Sequence, residues 1–232
     1  MQAIPFIVER FRNHEHTRLL AFGSSNTEHF LPGMHWFDCY ELAMHQTHGV
    51  IPRCINSGVG GDTAQMLLDR FDEDAALYQP HLTFITVGGN DSNPERHVTE
   101  GQFRANLLEL HRRFASIDCA VVFQTYYAPD PATVWPLGRF YVHMDTVREV
   151  AAETRSDLID HLARWEPFRN ACPEQYAAVM RDGFHVRTLG NMVIGLDIAR
   201  HFGLTVGTDR PEHWREARAF QALLDAAERE ST

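Results

Sequence analysis

Residues 82–91 read LTFITVGGND, six residues suited to a buried strand followed by four small or polar ones. An unbroken apolar run rich in β-branched and aromatic residues predicts a strand covered on both faces, as in a parallel sheet. Alternating polarity would predict a strand with one wet face instead. Gly88-Gly89-Asn90-Asp91 then stops the run with residues that suit turns. Functional loops of open α/β sheets lie at the carboxyl ends of the strands. This one stretch therefore predicts both a fold and a place to look for chemistry.

Working outward, Arg18–Phe22 (RLLAF), Val50–Ile55 (VIPRCI) and Ala120–Thr125 (AVVFQT) read as further buried strands, with a weak fifth at Leu158-Ile159. Pro52 suggests an edge position for the second. Helical patterns fall between them at roughly 35–48, 63–78, 99–116, 139–155 and 188–202. Strands that alternate with helices predict an α/β chain, a three-layer α/β/α sandwich with a five-stranded parallel sheet of flavodoxin-like type. The expected organisation is a single domain over residues 1–232, its core at about 18–203. In residues 209–232, Phe220, Leu223, Leu224 and Ala227 follow the i, i+3, i+4, i+7 spacing of an amphipathic helix. Such a helix packs on the domain surface or, in the other reading, makes a homo-oligomer contact.

The bulk numbers exclude several classes of function. With 232 residues and 44% hydrophobic content, the chain can bury a real core. A net charge of -10 argues against a nucleic-acid groove and against anionic membrane surfaces. No apolar run reaches the length of a membrane span. Cys39, Cys54, Cys119 and Cys172 form no C-x-x-C pair, so they read as reduced and mostly buried, and the 14 histidines read mostly as surface residues. The first residues lack the basic start and long apolar core of a signal peptide. A cytoplasmic location is the expectation.

Four loops carry residues fit for chemistry. Gly23-Ser24-Ser25-Asn26-Thr27 follows the first strand and Asn56 to Thr63 the second. Gly88 to Asp91 follows the third, and Asp182-Gly183-Phe184-His185 precedes the last long helical pattern. Each has an ordinary reading. Ser25 suits a helix N-cap, as do Asp62 and Thr63. Asn90 suits a turn, and His185 a solvated surface. The glycines at 58, 60 and 61 let backbone amides approach a ligand, yet neither G-x-G-x-x-G nor G-x-x-x-x-G-K-[ST] is present. The joint occurrence of all four loops in this order overturns the separate readings. Serine, histidine and aspartate are the minimum equipment for acyl transfer.

The four blocks resemble those of the SGNH hydrolases, also called the GDSL esterase and lipase family, over roughly residues 18–203. The resemblance implies Ser25 as nucleophile, His185 as general base and Asp182 as the group that orients it. It implies an oxyanion hole of the Ser25 and Gly61 amides with the Asn90 side chain, and a serine esterase that needs no metal or cofactor. Asn56 would support its loop. One departure stands out. The family usually has Gly-Asp-Ser where this chain has Gly23-Ser24-Ser25. Ser24 accepts a hydrogen bond without the charge assistance of an aspartate. The chain's size resembles the compact carbohydrate acetylesterase branch, so the expected substrate is a small acyl ester, acetyl on a saccharide. Trp36, Tyr126, Tyr127, Trp135 and Phe184 are candidates for the pocket wall. The alternatives are a thioesterase or lysophospholipase, and a non-catalytic carbohydrate-binding protein on the same fold. A flavin or nucleotide binder is weakened by the missing phosphate signature.

Overall fold

Among the residues described by a computed structural model (3–49, 52–130, 137–207 and 210–231), five strands form one parallel sheet. They are β1 (Arg18–Gly23), β2 (Arg53–Gly58), β3 (Leu82–Thr86), β4 (Ala120–Gln124) and β5 (Asp157–Ile159), in the order β2-β1-β3-β4-β5. The sheet is flanked by helices, as the alternation predicts. All residues of β3 and β4 are buried, which is why those strands are mostly apolar, with Thr83, Thr86 and Gln124 the polar exceptions. The register sets Gly23 opposite both Gly58 and Thr86, so the loops after β1, β2 and β3 leave from one edge of the sheet.

The chain divides into two compact units, each assembled from separated segments. The first comprises Met1–Glu28, Arg53–Tyr126 and Trp135–Asp160 and contains the whole sheet. Its helices are α1 (Ala3–Arg12), α3 (Ala64–Asp69), α4 (Phe71–Asp74), α5 (Glu100–Ala115) and α6 (Leu137–Thr154). α5 packs on α3 and on α6. Phe114 of α5 meets Phe22 of β1 and Phe71 of α4 edge-on, at centroid distances of 5.9 and 4.9 Å.

The second unit comprises His29–Pro52, Tyr127–Val134 and His161–Thr232. It is helical, with α2 (Trp36–His48), α7 (His161–Ala171), α8 (Pro173–Val179), α9 (Thr188–His201) and α10 (Arg215–Ser231). α2 lies against α9 where Gly195 faces Cys39; a Cβ on Gly195 would stand 2.3 Å from the cysteine Cβ. α10 packs on α7 and α9 through Ala217, Leu224 and Ala227, with Phe220 edge-on to Phe168 at 6.2 Å. The amphipathic C-terminal helix is thus covered within its own unit.

Three expectations change. β2 begins at Arg53 and runs on through Asn56-Ser57-Gly58, which the sequence presents as loop. Its ladder is made by backbone groups, and an edge strand with half-exposed side chains tolerates polar residues. Val50 and Ile51 lie outside the described residues. The helix expected at 63–78 is broken into α3, α4 and a 3-10 turn at Ala76–Tyr78, because Arg70 turns inward between them. α1, α7 and α8 are additional. α7 holds Pro167 within it and has little amphipathic pattern, so periodicity does not reveal it.

Candidate active site

Within the first unit, the chain leaves β1 in a tight turn rather than a helix. Thr27 and Glu28 both donate backbone N–H groups to the Ser24 carbonyl, at 2.9 and 3.0 Å. Ser25 sits inside that turn, and the next helix, α2, starts only at Trp36. Ser25 is therefore not a helix cap. Gly23 is required at the turn's base, since a Cβ there would lie 2.4 Å from Thr27 Oγ1 and 2.5 Å from the Thr86 carbonyl. Arg70 joins the ends of two strands. Its guanidinium donates to the Gly23 and Ser57 carbonyls and to Asp62 Oδ2, and it stacks on Phe22 at 4.5 Å.

Gly61 has a φ of 86°, in the left-handed region that favours glycine. The adjoining Asp62 carbonyl accepts a 2.9 Å hydrogen bond from Asn90 Nδ2. That bond places the Asn90 amide beside Gly61 and leaves its second N–H for another acceptor. Thr63 caps α3, accepting from Met66 N at 3.4 Å, as the sequence allows. Asn56 Oδ1 accepts from Gly58 N at 3.0 Å, consistent with support of the loop. Asp91 is fully buried, with Oδ1 accepting from Ala64 N at 2.9 Å. Burial raises its carboxyl to about 6, against the pull of amide hydrogen bonds from Ala64, Asp91 and Gly88. Burial also raises Asp62, opposed by its ion pair with Arg70.

Within the second unit, Asp182 and His185 form one compact pair. Asp182 Oδ1 accepts from the Phe184 and His185 amides at 2.9 and 2.8 Å and lies 2.9 Å from His185 Nδ1. Arg181 grips the other oxygen through Nε at 3.1 Å and an Nη at 3.0 Å. Burial pushes the Asp182 carboxyl up, but these hydrogen bonds and charges outweigh it and hold the group at about 2. Asp182 is thus held as a carboxylate, with the His185 Nδ1 among the groups it faces. Arg181, itself stacked on Phe30 at 4.6 Å, is missed by sequence reasoning because an Arg-Asp neighbour pair is commonplace. A cavity of about 580 Å³ adjoins the turn, lined by Asp130, Arg169, Tyr176, Arg181, Asp182 and Arg187 among others.

The structure thus brings Ser25, Gly61 and Asn90 into the first unit and Asp182 and His185 into the second. Of the aromatic candidates, Trp36, Tyr126, Tyr127 and Phe184 are all buried. The Tyr127 hydroxyl donates to the Phe184 carbonyl at 2.9 Å and accepts from Val186 N at 3.0 Å, bracing the Asp182–His185 turn. Trp135 lies outside the described residues. The cysteines are all free thiols. Among the described residues, no helix is long and apolar enough to cross a membrane.

A parallel α/β sheet with a serine turn after β1, an asparagine amide after β3 and a bound Asp-His pair defines a hydrolase of the SGNH class. Residues 21–193 match the GDSL-like Lipase/Acylhydrolase family, and the chain belongs to that family. It is a carboxylic ester hydrolase. An acetylxylan esterase of Geobacillus stearothermophilus is 25% identical over 161 residues, covering 65% of this chain and 72% of that protein. The crystal structure of an acetylxylan esterase from the same organism superposes with a TM-score of 0.69 at 21% identity, over 82% of this chain and 95% of that one. A lipase/acylhydrolase from Enterococcus faecalis gives 0.67 at 24% identity, over 82% and 97% of the two chains. A GDSL-like lipase structure from Parabacteroides merdae gives 0.72 at 16% identity, over 82% and 96%.

Proposed function

We propose that the protein removes small acyl groups, acetyl foremost, from saccharide esters through a Ser25–His185–Asp182 acyl-enzyme mechanism. The observation that carries this reading is the Asp182 Oδ1–His185 Nδ1 hydrogen bond of 2.9 Å on a loop whose amides hold the same oxygen. It fixes the tautomer a general base needs. His185 takes the Ser25 proton as the hydroxyl attacks the ester carbonyl. The Ser25 and Gly61 amides and the free N–H of Asn90 receive the oxyanion. His185 then protonates the leaving alcohol and activates the water that releases the acid. Two catalytic mutants of the Geobacillus esterase replace a serine and an aspartate, which supports these residue types in the roles.

The saccharide leaning draws on the acetylxylan esterases among the relatives and on the cavity beside Asp182. Its size lies within the range of small-ligand clefts, and its lining mixes Asp130, Asn170 and three arginines with the apolar Pro173, Ala177 and Met180.

Fluorophosphonate labelling with peptide mapping tests the mechanism. Modification of Ser25 is expected, and Ser25→Ala should lower turnover by about 10⁴–10⁶. Modification at Ser24 instead, or no labelling of folded protein, sinks the assignment; the second outcome favours a binding protein. Rates on acetylated xylooligosaccharides, p-nitrophenyl esters of increasing length and acyl thioesters decide the acyl donor. A preference for long esters or thioesters would replace the saccharide reading.

A further inference from the structure

Ser24 stands where the family usually has an aspartate, and its hydroxyl is fully buried 2.5 Å from the Tyr126 hydroxyl. Tyr126 follows β4 directly. Its ring is held edge-on to Phe140 at 6.3 Å, and its backbone N–H points at Met144 Sδ at 3.2 Å. The Gly89 backbone amide also lies close enough to the phenol oxygen to pull the phenol downward against its burial. Ser24 adjoins Ser25, and Gly89 adjoins Asn90. One oxygen atom therefore bonds the neighbour of the proposed nucleophile and lies beside the neighbour of the proposed side-chain donor of the oxyanion hole.

We propose that Tyr126 is a positioning residue whose hydroxyl clamps the serine turn to the Gly-Gly-Asn-Asp loop, taking over the bracing that an acidic residue at position 24 would supply. The proposal rests on the reading of Ser25 as nucleophile. The surroundings explain why a neutral pair suits this chain. Burial pushes the phenol far upward, and the Asp91 and Asp62 carboxylates push it further, so it keeps its proton. Asp91 Oδ2 is itself buried with no hydrogen-bond partner among the described residues. A carboxylate at position 24 would bring a further charge into a buried region that already holds one poorly satisfied carboxylate. A serine–tyrosine pair makes the same cross-link without charge, and the rigid, fully packed ring sets the position of its hydroxyl.

The test compares Tyr126→Phe, Ser24→Ala, the double variant and Ser25→Ala in the full chain. The measurements are p-nitrophenyl acetate kinetics, the fluorophosphonate labelling rate and thermal melting. Tyr126→Phe and Ser24→Ala should each lower kcat about 10- to 100-fold, the scale expected when reacting groups are misplaced. KM should move less than about threefold, since the lost interaction does not bind substrate. Labelling should slow in parallel. The double variant should be no worse than the weaker single by more than about twofold, because both remove one bond. Wild-type kcat in folded Tyr126→Phe overturns the clamp, as does a lowered melting temperature with kcat intact. Losses that multiply in the double variant also overturn it. If Tyr126→Phe does not fold, wild-type kcat in Ser24→Ala overturns it equally. Full turnover in Ser25→Ala refutes the nucleophile assignment itself, whereas loss there beside wild-type Tyr126→Phe removes only the clamp.

Discussion

In the proposed mechanism Asn90 divides its two amide hydrogens between structure and chemistry. One is held by the Asp62 carbonyl at 2.9 Å, which aims the other. Asn90→Ala removes both, so it should lower kcat by about 10²–10³, or roughly 3–4 kcal/mol of transition-state stabilisation, with a much smaller change in KM. Steady-state kinetics on p-nitrophenyl acetate check this; a variant within about threefold of wild type would remove Asn90 from the oxyanion hole. At this scale the sequence is most legible. Ser25, Asn90, Asp182 and His185, the groups of the proposed mechanism, stand in short blocks of the sequence. Their partners were not legible. Tyr126 read as a candidate pocket wall, and only its buried hydroxyl beside Ser24 shows the bracing geometry. Arg70 gave no signal at all, because its role depends on carbonyls contributed by two different strands.

Among the elements, Arg164 ties three helices together. From α7 it reaches Asp197 of α9 at 2.9 Å, and Asp225 and Glu228 of α10 at 2.5 and 2.6 Å. Its side chain is 12% exposed and that of Asp197 only 5%, so the pair is largely desolvated. Among the described residues, Arg164→Ala would leave Asp197 with Arg200 at 3.3 Å and Gln221 at 3.1 Å. Removing one partner of a fully buried pair costs about 3–5 kcal/mol, and the partners left to Asp197 bring this down to about 2–3 kcal/mol. Differential scanning calorimetry should then show a melting temperature lower by about 4–10 °C. No shift would mean that Asp197 is satisfied by its other partners. Elements with strong periodicity or unbroken apolar runs were legible: β1, β3, β4, α5 and α9 begin and end within a residue or two of expectation. α7 and the break at Arg70 were not, because a buried ion-pair anchor and an inward-turned arginine override local pattern.

Across the whole molecule, stability should carry the mark of Asp91. Its folded carboxyl is raised to about 6 from a reference of 3.8, so between those values the folded chain holds a proton that the unfolded chain has released. The stabilisation is complete below the lower value and is lost as pH rises through about 6, an amount of about 3 kcal/mol. Asp91→Asn keeps an acceptor for the Ala64 amide and removes the titration. Urea unfolding at pH 4 and pH 7 should show wild type losing about 2 kcal/mol relative to the variant across that interval, since pH 4 already lies just above the unfolded value. Parallel stability curves for the two proteins would refute a raised Asp91. The sequence by itself determined the sheet's class and the order of its loops, and it presents the residue types of the proposed site, because these are written in local runs and short blocks. Tertiary structure decided which hydroxyl backs Ser24, how Asn90 is aimed, why Asp91 titrates high and where Arg70 breaks a helix. Each of these is a property of groups far apart in the chain meeting where water is excluded, and no window of sequence contains both partners.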